Sequence, residues 1–213
     1  MPPPLPILHL DDALILLDKP SGLLSVPGKG AENADNLATR VQAQFADALV
    51  VHRLDRDTSG LLLMARGLES QRHLSAQFER REVTKCYIAE VFGSVQKQTG
   101  SQSGTIDLPL VKDFENPPRH KVDHIHGRVA VTHWRVLSST ENGDRLELIP
   151  ETGRSHQLRV HLSHIGHPIL GDNLYAPEAV RSLAPRLCLH AHELQFVHPV
   201  TGELVHFMSP VPF

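Results

Sequence analysis

The first stretch of the sequence that could carry chemistry is a run of ionisable residues between two apolar segments. It occupies residues 52–60 and reads His-Arg-Leu-Asp-Arg-Asp-Thr-Ser-Gly, between Ala48–Val51 and Leu61–Ala65. An unpaired charge costs several kcal/mol to bury, so this loop must face a cleft or pair its own charges. Arginines bind phosphate through paired hydrogen bonds while a carboxylate stays available to react, which favours a site for an anionic substrate. A structural ladder of Asp–Arg pairs that closes the strand connection is the alternative at this point.

A second charged stretch, at residues 152–161, reads Thr-Gly-Arg-Ser-His-Gln-Leu-Arg-Val-His. Here a glycine turn leads into a predicted helix start that carries Arg154, and backbone N–H groups at a helix start favour an anion. Arg159 lies one turn beyond Ser155, from where it could point at a carboxylate across a cleft. A well-capped surface helix is the competing interpretation.

Tyr87 is a third candidate, in a stretch Lys85-Cys86-Tyr87 that opens a predicted strand. A tyrosine on a strand is most often part of the core. The residue alone therefore does not separate a packing role from a role at a site.

The chain has 15 histidines, which raises the question of a bound metal. On a helix, His156 and His161 would point about 140° apart. Neither a His-Glu-x-x-His nor a Cys-x-x-Cys pattern occurs, and no glycine-rich phosphate loop is present. We therefore expect neither a metal nor a nucleotide cofactor.

The elements that must position these residues are predicted to be mostly strands. The apolar runs and alternating patterns indicate strands at Ala13–Leu17, Ala48–Val51, Leu61–Ala65, Lys85–Phe92, Val129–Leu137, Arg145–Ile149, Leu187–Leu189, Leu194–Val197 and Leu204–Met208. Helices are predicted over Asn36–Phe45, Glu69–Phe78 and Ser155–Ile165, the last capped by Ser155 and ended by Gly166. Asn142-Gly143 predicts a hairpin turn, and the polar stretch Ser94–Ser103 a surface loop. We expect an α+β fold with a mixed, mostly antiparallel central sheet flanked by helices and loops.

Composition excludes several classes of protein. The 213 residues are 40% hydrophobic and 21% charged, which is typical of a globular chain. No apolar run approaches the roughly 20 residues that cross a bilayer, and residues 1–10 lack the basic residues of a signal or transit peptide. Cys86 and Cys188 fit core thiols of a reducing compartment, so we expect a cytoplasmic protein without a membrane partner.

The net charge of −3 argues against a broad nucleic-acid-binding face. The charge is unevenly distributed, however. Residues 52–85 and residues 118–160 each carry 7 Lys/Arg against 5 Asp/Glu. A basic patch focused in a cleft attracts a polyanion even on an acidic body, although adjacent charges of both signs are also typical of a solvated face.

Taken together, these stretches resemble the motifs of the RluA-type pseudouridine synthase family. The resemblance rests on residues 18–23 (Asp-Lys-Pro-Ser-Gly-Leu), 52–60, 85–89 (Lys-Cys-Tyr-Ile-Ala), 152–162 and 166–172 (Gly-His-Pro-Ile-Leu-Gly-Asp). It runs from about Leu8 to Phe213. It implies a single pseudouridine synthase catalytic domain over residues 1–213, with residues 1–7 as a flexible tail and no appended RNA-binding domain.

The resemblance also implies the reaction, which moves the glycosidic bond of a uridine from N1 to C5 of the same base without cofactor or metal. By carry-over, Asp55 is the catalytic carboxylate, and Arg159 is the cation that holds it ionised. Tyr87 would pack against the base and help remove the proton at C5. Ser155 stands where many members have Thr.

Four arginines are the implied contacts to the substrate. Arg53 would fill the gap left by a flipped uridine, which offsets part of the lost stacking. Arg119 and Arg154 are candidates for contact with phosphate, and Arg56 is a further substrate-binding candidate.

Within the family, the short chain looks like the branch that acts on both large-subunit ribosomal RNA and a tRNA anticodon stem-loop. RNA is then the expected partner, DNA is not, and the expected state is a monomer. Specificity would come from the loops Gln96–Gly104 and Pro117–Arg128. A catalytically silent RNA-binding or ribosome-assembly module and a metal-assisted hydrolase using the histidines are the alternative functions.

Overall fold

A computed structural model describes residues 5–28, 30 and 34–213 of the chain. In chain order the elements are β1 (Ile7–Leu10), β2 (Leu14–Lys19), α1 (Leu37–Gln42), β3 (Ala48–Val50), β4 (Ser59–Arg66), α2 (Gly67–Arg80), β5 (Thr84–Phe92), α3 (Val95–Thr99), β6 (Ser103–Asp107), β7 (Leu110–Lys112), β8 (His120–Val122), β9 (Val131–Ser139), β10 (Gly143–Pro150), α4 (Gln157–His164), α5 (Glu178–Arg181), β11 (Leu189–Val197) and β12 (Leu204–Met208). The chain divides into two compact units, one of Met1–Lys85 with Ala191–Pro212 and one of Cys86–His190 with Phe213. The predicted α+β fold with a mostly antiparallel sheet is confirmed, whereas the single catalytic domain stays a prediction.

In the first unit, β2 and β4 form the centre of the sheet. They pair antiparallel from Leu14↔Ala65 to Lys19↔Gly60, and the apolar residues of both strands are buried. Strands covered on both faces have continuous apolar sequences, which is why these two runs are uninterrupted. The pairing brings the turn after β2 next to the loop before β4. The two motifs at residues 18–23 and 52–60 therefore meet at one end of this strand pair.

The neighbouring strands of the first unit follow in the order β1-β2-β4-β11, with β12 on β11 and β3 on β4. Helix α1 begins where the Asn36 side chain accepts a hydrogen bond from Thr39 N at 2.9 Å, and it ends three residues before Phe45, its predicted end. Residues 1–4 of the predicted tail lie outside the described residues, and Ile7 already begins β1.

The second unit has the strand order β5-β10-β9-β6 and a separate two-stranded sheet of β7 and β8. The predicted hairpin at Asn142-Gly143 is confirmed, because β9 and β10 pair from Asp144↔Ser139 onward. Leu158 and Leu162 of α4 pack into the core beneath these strands. The loop predicted over Ser94–Ser103 is wrong in part, since Ser94 caps the short helix α3 by accepting from Lys97 N.

The start of α4 also differs from the prediction. The helix begins at Gln157, and the residue at its cap is His156 rather than Ser155. His156 has a left-handed backbone, with φ +57°, and its ring hydrogen-bonds Tyr175 Oη at 2.6 Å instead of capping the helix. The predicted end at Gly166 is confirmed, because this glycine has φ +89° directly after the last turn.

Cys86 and Cys188 are buried, as the sequence predicted, and burial raises the pKa of the Cys188 thiol to about 11. Across the described ranges, no helix has both the length and the apolar character needed to cross a membrane.

Gly60 lets two backbones of the first unit come into contact. It has φ +106°, and a Cβ at this position would lie 2.3 Å from the carbonyl oxygen of Ala191. We expect Gly60→Ala to lower the free energy of unfolding by about 3 kcal/mol or more, because both the backbone angle and the clash oppose it. Urea denaturation measures this change.

Gly202→Ala is the matched control in the same unit. Gly202 also has a positive φ, +71°, but a Cβ there meets nothing within 4 Å. Gly202→Ala should lower the free energy of unfolding by only about 1 kcal/mol, because only the strain of the backbone angle opposes it. Equal losses in the two variants would contradict a role for the close approach.

Candidate active site

A buried ammonium group anchors the loop that carries Asp55. The Lys19 side chain is 0% exposed. Its Nζ donates to the carbonyl oxygens of Pro20 at 2.9 Å, Leu23 at 2.8 Å and Arg56 at 2.8 Å. Three carbonyl dipoles compensate the loss of hydration of this charge. Lys19 thereby joins the turn after β2 to the loop before β4.

Hydroxyl groups of the same turn hold the loop on both sides of Asp55. Ser25 Oγ donates to Leu54 O at 2.8 Å and accepts from Leu54 N at 3.0 Å. Ser21 Oγ donates to Asp57 O at 2.7 Å. Asp55 O itself accepts from Thr58 N at 3.2 Å, which closes the loop. The backbone is therefore fixed on both sides of Asp55, which is partly buried. Arg53 and Arg56 of the same loop are exposed.

His52 supports this loop from beneath as a neutral ring. It stacks on Phe78 with ring centres 4.6 Å apart, and its Nε2 accepts a hydrogen bond from Leu63 N at 2.9 Å. Burial, with a smaller effect from the positive charge of Lys85, lowers the pKa of His52 to about 3. A nitrogen that accepts a backbone N–H cannot also carry a proton, so the contact and the lowered pKa agree.

In the second unit, Arg159 forms a buried pair with Asp172. Arg159 is 2% exposed and Asp172 is 0% exposed. Nε donates to Asp172 Oδ2 at 2.8 Å and Nη2 to Oδ1 at 2.6 Å, and Nη2 also donates to Asn173 Oδ1 at 3.1 Å. Asp172 Oδ1 accepts two further backbone N–H groups, from Leu174 and Tyr175. Such complete hydrogen bonding is what allows a charged pair to be buried.

The other polar residues of the 152–161 stretch attach α4 to the sheet. Gln157 accepts from Thr152 Oγ1 at 2.7 Å and donates to Val131 O at 2.9 Å. His161 bridges Thr132 Oγ1 and Leu108 O at 3.0 Å each, and burial lowers its pKa. The Gln157 amide and the His161 imidazole therefore have a structural role, because their hydrogen bonds attach α4 to its surroundings.

The structure places the seven predicted site residues as two groups. Asp55, Arg53 and Arg56 share one loop of the first unit, whereas the second unit holds Tyr87, Arg119, Arg154 and Arg159. The pairing of Asp55 with Arg159 stays a prediction.

In the second unit, Tyr87 lies on β5 opposite Leu148 and is partly buried against the core. Arg119 is exposed between β7 and β8, and Arg154 Nε donates to Val129 O at 3.1 Å. Among the residues that the structure describes, no three His, Cys, Asp or Glu side chains form a group able to hold a metal ion.

Sequence reasoning missed Lys19 and Asp172 as parts of the site. Both lay inside quoted motifs, Lys19 in 18–23 and Asp172 in 166–172. The available signal was an ionisable residue directly next to a buried strand or turn, which requires a partner.

Comparison with known proteins identifies the class. Residues 13–164 match the family model described as RNA pseudouridylate synthase, so the chain belongs to this family. The protein is therefore an RNA-modifying isomerase, and the resemblance of its motifs is confirmed.

Individual relatives narrow the placement within the family. The dual-specificity RNA pseudouridine synthase RluA of Pasteurella multocida (strain Pm70) is 45% identical over 212 residues, covering 99% of this chain and 95% of that protein. The protein of the same name from Escherichia coli (strain K12) is 44% identical with the same coverage. Among solved structures, human RNA pseudouridylate synthase domain containing 1 is 27% identical with a TM-score of 0.81, over 100% of this chain and 87% of that one. The chain is an RluA-type member of the family.

We expect Asp172→Asn to lower the free energy of unfolding by about 3 kcal/mol or more, because it leaves the buried Arg159 charge without its carboxylate. Urea denaturation measures the loss.

The control is Asp47→Asn. Asp47 accepts from Arg66 Nε at 3.1 Å in the same two-pronged way but is 46% exposed. Asp47→Asn should lower the free energy of unfolding by no more than about 1 kcal/mol, as for other exposed ion pairs. A cost for Asp172→Asn no greater than that of Asp47→Asn would contradict the buried pair.

The neutral His52 ring predicts a pH dependence of stability. Its folded pKa of about 3 lies below the ordinary 6.5, so the unfolded chain binds a proton that the folded chain does not. The free energy of unfolding is then at its full value above pH 6.5 and falls as the pH drops towards 3, by up to ~1.4 kcal/mol per pH unit from this group.

Urea denaturation at pH 7, 6, 5 and 4 measures that slope. In His52→Gln, whose amide can still accept from Leu63 N, the slope should be shallower than in the wild type. His124→Gln, at an exposed histidine, serves as the control. Identical slopes for wild type and His52→Gln would contradict the assignment.

Proposed function

We propose that this RNA pseudouridine synthase isomerises uridines in two structured RNAs, 23S ribosomal RNA and a tRNA anticodon stem-loop. Support comes from near-full-length identity of 45% to proteins whose name carries dual specificity. The observation that carries the site assignment is the Asp55 loop, whose backbone is held by Lys19, Ser21 and Ser25. A rigidly held carboxylate can keep its place against a substrate sugar while the base moves.

In the proposed reaction the N1–C1′ bond of the uridine breaks, the base turns, and a C5–C1′ bond forms. The hydrogen leaves C5 as a proton and N1 takes up a proton, so the product is an isomer of the substrate. Asp55 supplies the carboxylate, and both addition to the nucleoside and removal of a sugar proton need it ionised. Arg159 is the cation that keeps it so, and Tyr87 packs against the base and helps remove the C5 proton.

The arginines supply the proposed grip on RNA. Arg53 and Arg56 are exposed beside Asp55 in sequence, which suits Arg53 to the space of a flipped uridine and Arg56 to phosphate. The exposed Arg119 and the partly buried Arg154 are the proposed phosphate contacts of the second unit. We further propose that the enzyme acts as a cytoplasmic monomer without DNA or membrane partners.

Asp55→Asn tests the catalytic assignment. We expect turnover of both RNAs to fall by about 100-fold or more, the lower range for loss of a reacting carboxylate, while RNA affinity stays near wild type. Pseudouridine formation is measured on a ribosomal RNA fragment and an anticodon stem-loop, and affinity by fluorescence anisotropy.

Asp57→Asn is the matched control on the same loop, and it should keep turnover within about tenfold of the wild type. Wild-type turnover in Asp55→Asn would refute the assignment.

Mapping pseudouridine across all cellular RNA with and without the gene tests the substrates. Loss of sites in both 23S ribosomal RNA and tRNA supports dual specificity, and loss in one class alone refutes it. A deletion phenotype rescued by Asp55→Asn would instead indicate an RNA-binding module that does not need catalysis.

A further inference from the structure

Tyr175 joins Arg159, the start of α4 and the β7–β8 sheet within the second unit. Its ring centre lies 5.3 Å from Arg159 Cζ. Its Oη accepts a hydrogen bond from His120 N, at the start of β8, at 2.9 Å. The same Oη lies 2.6 Å from Nδ1 of His156, at the cap of α4. One side chain therefore contacts three separate parts of the unit.

The backbone of Tyr175 is fixed as firmly as its side chain. Tyr175 N donates to Asp172 Oδ1 at 3.0 Å, and Tyr175 O accepts from Ser163 Oγ of α4 at 2.9 Å. The ring packs against a small apolar cluster formed by Leu110, Val122, Ala130 and Val160. The backbone of Tyr175 and its Oη are both held by hydrogen bonds. The ring that lies under Arg159 therefore has a defined position.

The Oη atom of Tyr175 takes part in two hydrogen bonds. It accepts from the backbone N–H of His120, and either Oη or Nδ1 can be the donor in its bond to His156. His156 is at the cap position of α4, where it has a left-handed backbone and makes no side-chain capping bond.

Asp172 and Tyr175 constrain the guanidinium of Arg159 through different interactions. The bonds from Nε and Nη2 to Asp172 lie in the plane of the guanidinium, so they set the direction in which it points. The guanidinium carbon also lies over the Tyr175 ring, and the attraction of a cation to an aromatic face adds a second restraint on its position. We propose that Tyr175 is a positioning residue for the isomerisation, whose ring holds the Arg159 guanidinium that Asp172 directs. This rests on the proposed role of Arg159 beside Asp55.

The experiment compares Tyr175→Phe, which keeps the ring, with Tyr175→Leu, which removes it. Single-turnover pseudouridine formation is measured at saturating RNA and expressed per folded enzyme. We expect Tyr175→Leu to react about 3- to 30-fold more slowly, the range for loss of a cation–aromatic contact, with RNA affinity little changed. Tyr175→Phe should react at close to the wild-type rate. A purely structural role would change the folded fraction and not the rate per folded enzyme.

The matched control is Phe45→Leu in the first unit. There Arg66 Cζ lies 5.6 Å from the Phe45 ring centre and its guanidinium binds Asp47, an arrangement of the same kind outside the proposed site. Phe45→Leu should leave the single-turnover rate unchanged. Should Tyr175→Leu not fold, Tyr175→Met takes its place, because it fills more of the space without an aromatic face.

Hydrogen exchange of the Arg159 Nε–H, followed by NMR and assigned by its loss in Arg159→Lys, gives a readout that needs no activity. We expect exchange about threefold faster or more in Tyr175→Leu and near the wild-type rate in Tyr175→Phe. Unchanged exchange, or faster exchange with an unchanged single-turnover rate, would overturn the proposal. Full turnover in Asp55→Asn would refute the proposed function separately, because the exchange comparison does not depend on it.

Discussion

The cost of burying charge is the constraint on which both groups of site residues depend. A cation removed from water must recover its hydration energy from fixed dipoles or a counter-ion, or the fold does not form. Lys19 recovers it from three carbonyl oxygens, and Arg159 from a carboxylate, an amide and an aromatic face. Lys19 also fixes the backbone of the loop that carries Asp55, and Asp172 also binds the backbone N–H groups of Leu174 and Tyr175. The hydrogen bonds that compensate the lost hydration of these charges thus also hold the motif stretches in place.

This constraint explains why some polar residues of the motifs are presented on a fixed loop, whereas others only hold secondary-structure elements together. Asp55, with Arg53 and Arg56 beside it, is carried on a loop that other residues hold. Gln157 and His161, which look equally chemical in the sequence, instead tie α4 to strand β9 and to Leu108. Residue type alone does not separate these roles, whereas burial and saturated hydrogen bonding do.

Prediction from the sequence succeeded where the signal is local. The uninterrupted apolar runs of β2 and β4, the Asn142-Gly143 hairpin and β12 at Leu204–Met208 follow from patterns within a few residues. It failed where a distant residue decides the outcome. The predicted start of α4 at Ser155 was wrong, and His156 at the observed cap contacts Tyr175, farther along the chain. The buried bond of Arg159 to Asp172, across a turn, was not predicted, whereas the pairing of Arg159 with Asp55 stays a prediction. No periodicity in the sequence encodes the contact of His156 or that of Asp172.

The complete enclosure of Lys19 has a chemical consequence beyond its hydrogen bonds. An amine with no solvent-accessible surface cannot meet an acylating or alkylating reagent while the fold is intact. As an ammonium group that donates to three carbonyl oxygens, Nζ also has no lone pair with which to act as a nucleophile. Lys19, which anchors the loop of Asp55, is therefore shielded from covalent modification that would remove its positive charge.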